Sequence, residues 1–179
     1  MLKKYLVILI IFCSFELAGC ATGADVGPMV ASYSSNQQPK NITLVKDIAV
    51  SHVAGGQETN PLWASEISNE NFQAALAQSL QQAGLYREYP GSHYLLSANL
   101  IQLKQPLVGL NLTVVCTVQY QLENTKDNNM IYNKIITTSY TATFSDSPIA
   151  VVRLKKANEG AARENIKQLI TDLYHLSKK

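Results

Sequence analysis

The sequence predicts an α+β fold, a two-layer sandwich in which two helices cover one face of a four-stranded, mainly antiparallel sheet. Three observations favour this class. Four segments are rich in β-branched or alternating apolar residues, two segments carry apolar residues at helical spacing, and their order is β-α-β-β-β-α. The 179 residues, of which 46% are hydrophobic, are enough for one domain with its own core.

The first strand and the first helix are predicted between residues 42 and 84. Residues 42–53 are largely β-branched and partly alternating, and Ala54-Gly55-Gly56 ends the strand. A helix is expected to begin between Ser65 and Ser68, and Gly84 suits the left-handed position after its last turn. One buried stripe is predicted on this helix at helical spacing: Phe72, Ala75, Leu76, Ser79, Leu80 and Ala83.

Three consecutive strands are predicted next, within residues 94–103, 112–122 and 131–144. The middle strand alternates apolar and polar residues, which indicates a sheet that is covered on a single face. The polar run 124–129 is typical of a hairpin loop. These strands are therefore expected to pair as antiparallel neighbours.

The last predicted element is a helix near the C-terminus. Pro148 suits a first helical turn, but Gly160 weakens the pattern, so the regular helix is expected to begin only at Asn158. Its buried stripe is predicted from the spacing of apolar residues: Ala162, Ile166, Leu169, Ile170, Leu173 and Leu176.

The N-terminus has the pattern of a cleaved signal. Lys3 and Lys4 precede an apolar run of 11 residues, whereas about 20 are needed to span a bilayer. The next segment, Leu17-Ala18-Gly19-Cys20, resembles the lipobox of bacterial lipoproteins. The resemblance implies cleavage before Cys20 and attachment of three palmitate-type acyl chains to that cysteine. Three chains anchor a protein stably, since two already do so. Ala21-Thr22 after the cysteine then implies sorting to the outer membrane, facing the periplasm.

These features predict three regions. Residues 1–19 form the lipoprotein signal peptide, and residues 20–40 comprise the acylated cysteine and a flexible tether rich in glycine, proline and serine. Residues 41–179 form a single α+β domain. The membrane is therefore the first expected partner, through the lipid on Cys20.

No motif of a catalytic or cofactor site is found in the sequence. The 15 basic and 13 acidic residues leave a charge of +2, too small to predict nucleic-acid binding. His52, His93 and His175 are far apart, and no metal, phosphate-loop or nucleophile motif is present. We therefore predict a protein that is not an enzyme and that holds no metal or cofactor. Cys116 is predicted to be a buried hydrophobe rather than a reactive thiol.

The loop Asn60-Pro61-Leu62-Trp63 is the candidate contact site for a partner. It contains the only tryptophan of the chain, and aromatic loop residues are favoured contact anchors. The alternative is that Trp63 plugs the open end of the sandwich next to the first helix. A solvated helix face, rather than a site for anionic headgroups, is predicted for the basic residues Arg153, Lys155, Lys156 and Arg163.

The lipobox together with the element order of residues 40–179 resembles two groups of small outer-membrane lipoproteins. One is the lipoprotein of the lipopolysaccharide translocon, and the other comprises auxiliary lipoproteins of lipid-trafficking ABC transporters. The resemblance carries over no functional residue. It implies a non-catalytic interaction or assembly module of the cell envelope with an envelope protein as partner. The alternative is a lipoprotein that binds a lipid, a glycan or another small ligand.

Overall fold

The computed structural model describes residues 21–33, 43–60 and 65–176. It confirms the predicted α+β class and the β-α-β-β-β-α order, with one additional short helix in front. The elements are α1 (Val26–Met29), β1 (Ile48–Ala54), α2 (Asn69–Gln82), β2 (Tyr94–Lys104), β3 (Leu112–Asn124), β4 (Asn129–Ala142) and α3 (Ala150–Leu176).

The four strands form one mixed sheet in the spatial order β1-β2-β3-β4. β1 and β2 are parallel, because α2 crosses over the sheet between them, and the other two pairs are antiparallel. The parallel register places Val50 beside Leu96, and the antiparallel register places Val118 beside Ile136. β1 and β4 are thus the two edges of the sheet.

The core lies between one face of the sheet and the helices. On β3 the predicted alternation is confirmed, since the even-numbered side chains Leu112 to Leu122 are buried against α3 and α2. The predicted stripe of α2 is buried as well. Its N-terminus is capped by the Ser68 hydroxyl, which accepts a hydrogen bond from the Asn71 N–H at 3.2 Å. Gly84 takes the left-handed conformation with φ +72°.

α3 differs from the prediction because it is one continuous helix from Ala150, eight residues before the expected start. The stretch before Asn158 was expected to lie outside the regular helix, because Gly160 weakens the helical pattern. Gly160 is well inside the helix and buried, with the ring of Tyr140 packed directly against its Cα. The glycine permits a close approach of helix and strand, and this long-range contact outweighs its low helix propensity.

Residues 21–33 also differ from the flexible tether that was predicted for residues 20–40. Ala24, Met29, Val30 and Ala31 are buried in the core, in the groove between α2 and α3. Backbone groups of this segment are bonded to the domain, as when Ser79 Oγ accepts from the Ala31 N–H at 2.9 Å. Small and apolar side chains fit the groove, whereas the glycines and proline between them remove any periodic pattern. The remainder of the predicted tether, 34–40, lies outside the described residues.

Asp172 connects the C-terminal half of α3 to β4. Its carboxylate accepts hydrogen bonds from Lys134 Nζ at 2.7 Å and from the Tyr132 hydroxyl at 2.8 Å, and Gln168 donates a third at 3.1 Å. Desolvation acts to raise the pKa of Asp172, but the hydrogen bonds from Lys134, Tyr132 and Gln168 outweigh it and hold the pKa below its ordinary value of 3.8.

We expect Asp172→Asn to reduce the free energy of unfolding by about 1–2 kcal/mol near neutral pH. A lowered carboxyl pKa contributes stability above the ordinary value near 3.8, and this stability is lost as pH falls through the folded-state pKa. The difference between wild type and variant should therefore shrink between about pH 5 and pH 2 in urea titrations. Asp127→Asn makes the same change of charge in an exposed hairpin, where Asn can still accept from the Asn129 N–H. A constant difference for Asp172→Asn across this range would contradict the prediction.

Candidate functional site

Most of the sequence-predicted site residues lie outside the described residues, namely Cys20, Pro61, Leu62 and Trp63. Asn60 is described and is exposed. The role of this loop as a partner contact or as a plug therefore stays a prediction.

Six segments converge at one end of the sandwich, which we call the loop end. Strands β1, β2 and β4 finish there, β3 begins there, and α2 and α3 start there. The strand directions explain this arrangement. β1, β2 and β4 run in the same direction, so their C-terminal ends and the connections that follow them lie at one end of the sheet. The described parts of the connections at the loop end are 55–60, 65–68, 105–111 and 143–149.

The described residues on either side of the predicted contact loop are hydrogen-bonded at this end. Ser65, just after that loop, accepts hydrogen bonds on its backbone oxygen from Asn158 Nδ2 at 2.7 Å and from Gln105 Nε2 at 2.8 Å. Thr59 Oγ1 accepts from the Glu66 N–H at 2.8 Å and so closes the base of the loop. The flank after the predicted contact loop is thus bonded to α3 and to the residue that follows β2, and Thr59 bonds the two flanks to each other.

An exposed apolar tip is the feature of the loop end that sequence reasoning missed. Between β2 and β3, Leu107 is 100% exposed, Val108 86% and Leu110 73%. The neighbouring segments add three more exposed apolar side chains: Phe144, Ile149 and Val152. We call these six residues the apolar tip. The signal in the sequence was the run Pro-Leu-Val-Gly-Leu at a turn, where polar residues are usual.

Arg153 connects the two loops that carry most of the apolar tip and is buried beneath them. The residue is 4% exposed, and its guanidinium donates to the backbone oxygens of Ser147 at 2.6 Å and Gly109 at 3.3 Å. It also lies over the ring of Phe144, with 5.4 Å between the guanidinium carbon and the ring centroid. The loops 105–111 and 143–149 are therefore positioned by one buried cation rather than left independent.

The other three residues of the predicted basic cluster are also bonded to the protein, which differs from the predicted solvated face. Lys155 donates to Asp25 Oδ2 at 2.9 Å and to Thr22 Oγ1 at 3.0 Å. Arg163 donates to the backbone oxygen of Pro28 at 2.9 Å. Lys156 Nζ bonds the backbone oxygen of Asp146 at 2.7 Å. The N-terminal segment supplies most of these partners, so its packing could not be foreseen from the helix alone.

Within the described residues, no element covers the face of the sheet opposite the helices, and its side chains are uncharged from Thr113 to Gln121 on β3 and from Asn133 to Thr141 on β4. Cross-strand pairs of hydroxyls and amides cover it, as in Thr113 with Thr141 at 2.8 Å and Thr117 with Thr137 at 3.1 Å. Ile135 stands on this face and is 56% exposed. We define the open sheet face by ten residues: Thr113, Val115, Thr117, Gln119, Gln121, Asn133, Ile135, Thr137, Ser139 and Thr141.

Burial changes the pKa of titratable groups within the domain, including Cys116 and Glu159. Burial raises the pKa of the Cys116 thiol to about 12, so the thiolate needed for reactivity is suppressed at neutral pH. Burial also raises the pKa of Glu159, which accepts a hydrogen bond from the Asp25 N–H at 2.9 Å. Within residues 21–33, 43–60 and 65–176, no three His, Cys, Asp or Glu side chains are grouped so that they could hold a metal ion.

Four clefts on the described surface are small and open to solvent. One, of about 100 Å³, lies between Gly56 and Leu103, and one of about 120 Å³ lies below the apolar tip. Two others beside α3 hold about 230 and 270 Å³, next to Asp172 and Arg163 respectively. Pockets for small molecules usually hold about 300–1,000 Å³ and enclose most of the ligand. These clefts fall below that range.

Comparison with known proteins places the fold among bacterial proteins. No family model matches the sequence, and no curated protein matches it. Among solved structures, a Xanthomonas campestris protein of the DUF330 family has a TM-score of 0.57 at 11% identity, covering 77% of this chain and 91% of its own. A Caulobacter crescentus protein assigned to the lipoproteins has 0.53 at 17% identity, covering 75% and 94%. The PelC dodecamer of Paraburkholderia phytofirmans has 0.50 at 17% identity, covering 76% and 93%.

The chain shares the fold of these three solved structures. At these identities the likeness extends to the architecture and not to any residue of a site. No helix in the described part of the chain is long and apolar enough to cross a bilayer. The fold is therefore one that occurs in bacterial lipoproteins, with a filled core and two exposed features, the apolar tip and the open sheet face.

Proposed function

We propose that this protein is a lipid-anchored lipoprotein of the bacterial cell envelope, held on the outer membrane through Cys20, and that its domain is a non-catalytic interaction module. The observation that carries the proposal is the long edge strand β4, which is regular over residues 132–142. In the described part of the chain, no strand pairs with its outer edge.

Edge strands present unpaired N–H and C=O groups, and proteins usually protect them with charges, prolines or bulges, or by keeping them short. β4 is 14 residues long, contains no proline, and has Lys134 as its one charged residue. Its register shift against β3 lies near one end, at Ile131, so residues 132–142 form a regular edge. The ammonium of Lys134 is directed to Asp172 on the helical side. The edge is therefore suited to pairing with another polypeptide, and pairing would satisfy its backbone groups.

The open sheet face extends this surface. It is uncharged, so a partner does not have to desolvate paired ions, and its exposed Ile135 offers apolar area next to the edge. The likeness to PelC also supports an interaction role, because that protein, with the same fold, is a dodecamer. The predicted contact loop of Asn60 to Trp63 is a second surface of the same proposal.

The alternative function, binding of a lipid, glycan or other small ligand, has less support. The space between helices and sheet is filled by buried side chains such as Phe72, Tyr120 and Ile166. The clefts at the surface are smaller than usual ligand sites.

The proposal is tested by photo-crosslinking in intact cells, with a photoreactive residue at Thr137 on the open sheet face. Mass spectrometry of the purified chain should show acylated Cys20. We expect a defined crosslink to an envelope protein or to a second copy, which is weakened severalfold by Cys20→Ala and abolished by Ile135→Lys/Ser139→Lys. The two lysines add charge to the edge without entering the core, because both residues are exposed.

Gln78→Lys, an equivalent exposed substitution on α2, is the matched control and should leave the crosslink unchanged. Thermal unfolding should verify that all variants remain folded. An acylated protein that crosslinks to no polypeptide through Thr137 would overturn the interaction role of this surface. A chain without lipid on Cys20 would overturn the anchor.

A further inference from the structure

We infer that the loop end of the domain lies against the bilayer and that the apolar tip inserts into the membrane interface beside the lipid anchor. This orientation rests on the proposed acylation of Cys20. It goes beyond anchoring, because it assigns a membrane-binding surface to the folded domain itself.

The path of the N-terminal segment is the first argument. Its contacts advance along α3 in register: Thr22 bonds Lys155, Asp25 bonds Glu159, Pro28 bonds Arg163 and Tyr33 bonds Lys167. The segment therefore runs alongside α3 and away from the loop end. Followed backwards, it leads from Tyr33 toward the loop end at Ala21.

The covalent chain then fixes the position of the anchor. Cys20 precedes Ala21 by one peptide bond, so the two Cα atoms are about 3.8 Å apart. Ala21 is buried, and Ala24 is bonded to the backbone oxygen of Glu66, so this part of the chain cannot act as a long spacer. A lipid on Cys20 would therefore hold the loop end close to the membrane.

The apolar tip lies at that same end. Leu107, Val108 and Ala150 line one cleft. Lys155, which donates a hydrogen bond to Thr22, follows Ala150 by five residues in α3. This separation corresponds to a rise of about 7.5 Å along the helix. The anchor and the tip are thus within reach of one membrane surface.

The chemistry of the tip suits the interface of a bilayer rather than water. Exposed apolar side chains that are gathered in one patch mark a surface for a partner or for a membrane. Leu107 and Val108 stand almost free of the protein. Arg153 satisfies the backbone oxygens beneath them, so the tip can enter an apolar phase without leaving Gly109 and Ser147 unpaired there. The tip adds apolar contact to the anchor and sets the tilt of the domain.

Fluorescence from labelled cysteines tests this orientation. The full-length acylated protein is reconstituted into vesicles of phosphatidylethanolamine and phosphatidylglycerol that contain nitroxide lipids. An environment-sensitive label is placed at Leu107→Cys, at Ile135→Cys on the open sheet face, or at Lys126→Cys in the hairpin at the opposite end. Cys116 is buried and Cys20 is acylated in the proposal, so the introduced thiol takes the label. All three positions are exposed, so labelling leaves the core intact.

We expect the Leu107 label to shift its emission to shorter wavelength and to lose most of its fluorescence to the nitroxide lipids, with no such loss at Ile135 or Lys126. A chain that floats with the vesicles and carries the lipid, but whose Leu107 label stays in water, would overturn the orientation and leave the anchor standing. Quenching at Ile135 in place of Leu107 would also overturn it. A chain that carries no lipid and does not float would overturn the proposed anchor and the orientation together.

Discussion

Replacing Gly160 with alanine is expected to destabilise the domain by about 1–3 kcal/mol, although alanine favours a helix over glycine by roughly 1 kcal/mol. An added Cβ would lie less than 3.0 Å from three ring atoms of Tyr140. Two of these atoms, Cγ and Cδ1, are at the base of the ring rather than at the far end of a flexible side chain, so a small rotation at the tip cannot remove the clash. The ring is also in contact with Arg163, whose guanidinium carbon lies over it at 5.4 Å from the ring centroid. The helix and the strand must therefore separate.

Thermal unfolding measures this effect, since each kcal/mol lowers the midpoint by about 2–4 °C for a chain of this size. Gly27→Ala is the matched control, because an added Cβ at Gly27 meets no atom within 4 Å. Tyr140→Ala should relieve the clash, so the double variant is expected to be more stable than the sum of the single changes. A midpoint that rises for Gly160→Ala would mean that helix propensity, and not close packing, governs this position.

Replacing Asn165 with alanine is expected to reduce the free energy of unfolding by about 2–4 kcal/mol. Asn165 is fully buried and connects α3 to β3 and to the edge strand β4. Its Oδ1 accepts from the Tyr120 hydroxyl at 2.9 Å. Its Nδ2 faces the backbone oxygens of Cys116 at 3.1 Å and Ile136 at 3.0 Å, and Thr138 Oγ1 at 3.1 Å. Alanine would leave the buried Tyr120 hydroxyl without its acceptor and open a cavity.

Asn165→Asp separates the hydrogen bonds from the volume, because aspartate has nearly the same shape. It keeps an acceptor for Tyr120 but turns the donor into an oxygen that faces three other oxygens. We expect this variant to be at least as unstable as Asn165→Ala at neutral pH and to recover partly in acid, where protonation restores one donor. Urea unfolding of both variants, and of Tyr120→Phe in a double-mutant cycle, measures the coupling. Independent effects of Asn165→Ala and Tyr120→Phe would contradict the network.

The amino-acid sequence determined the elements of this protein because local periodicity carries that information. The stripe of α2, the alternation of β3, the helix start close to Ser68 and the turn at Gly84 each depend on residues a few positions apart. The burial of Cys116 followed in the same way, from its place on the apolar face of one strand. Each of these features was predicted, and the structure confirms it.

Other features could be decided only by contacts between residues distant in the chain. In the sequence, Gly160 only interrupts a helical pattern, and its role depends on the contact with Tyr140. Asn165 is only a polar residue in the sequence, and its role depends on Tyr120 and on the two strands around it. One signal was present in the sequence, since Asn158 and Asn165 stand two helical turns apart on the stripe that is buried. Their partners, however, are supplied by other elements.

The same reason explains what was missed at the loop end. The N-terminal segment lacks periodicity, so its composition predicts a tether, and only the groove between α2 and α3 makes Met29 and Ala31 part of the core. Leu107 and Phe144 are 37 positions apart, and antiparallel pairing of β3 with β4 brings their loops to one end of the sandwich. Sequence patterns within one element determined how each piece folds. Tertiary packing decided which exposed residues share a surface, because that surface is assembled from loops that no local pattern relates.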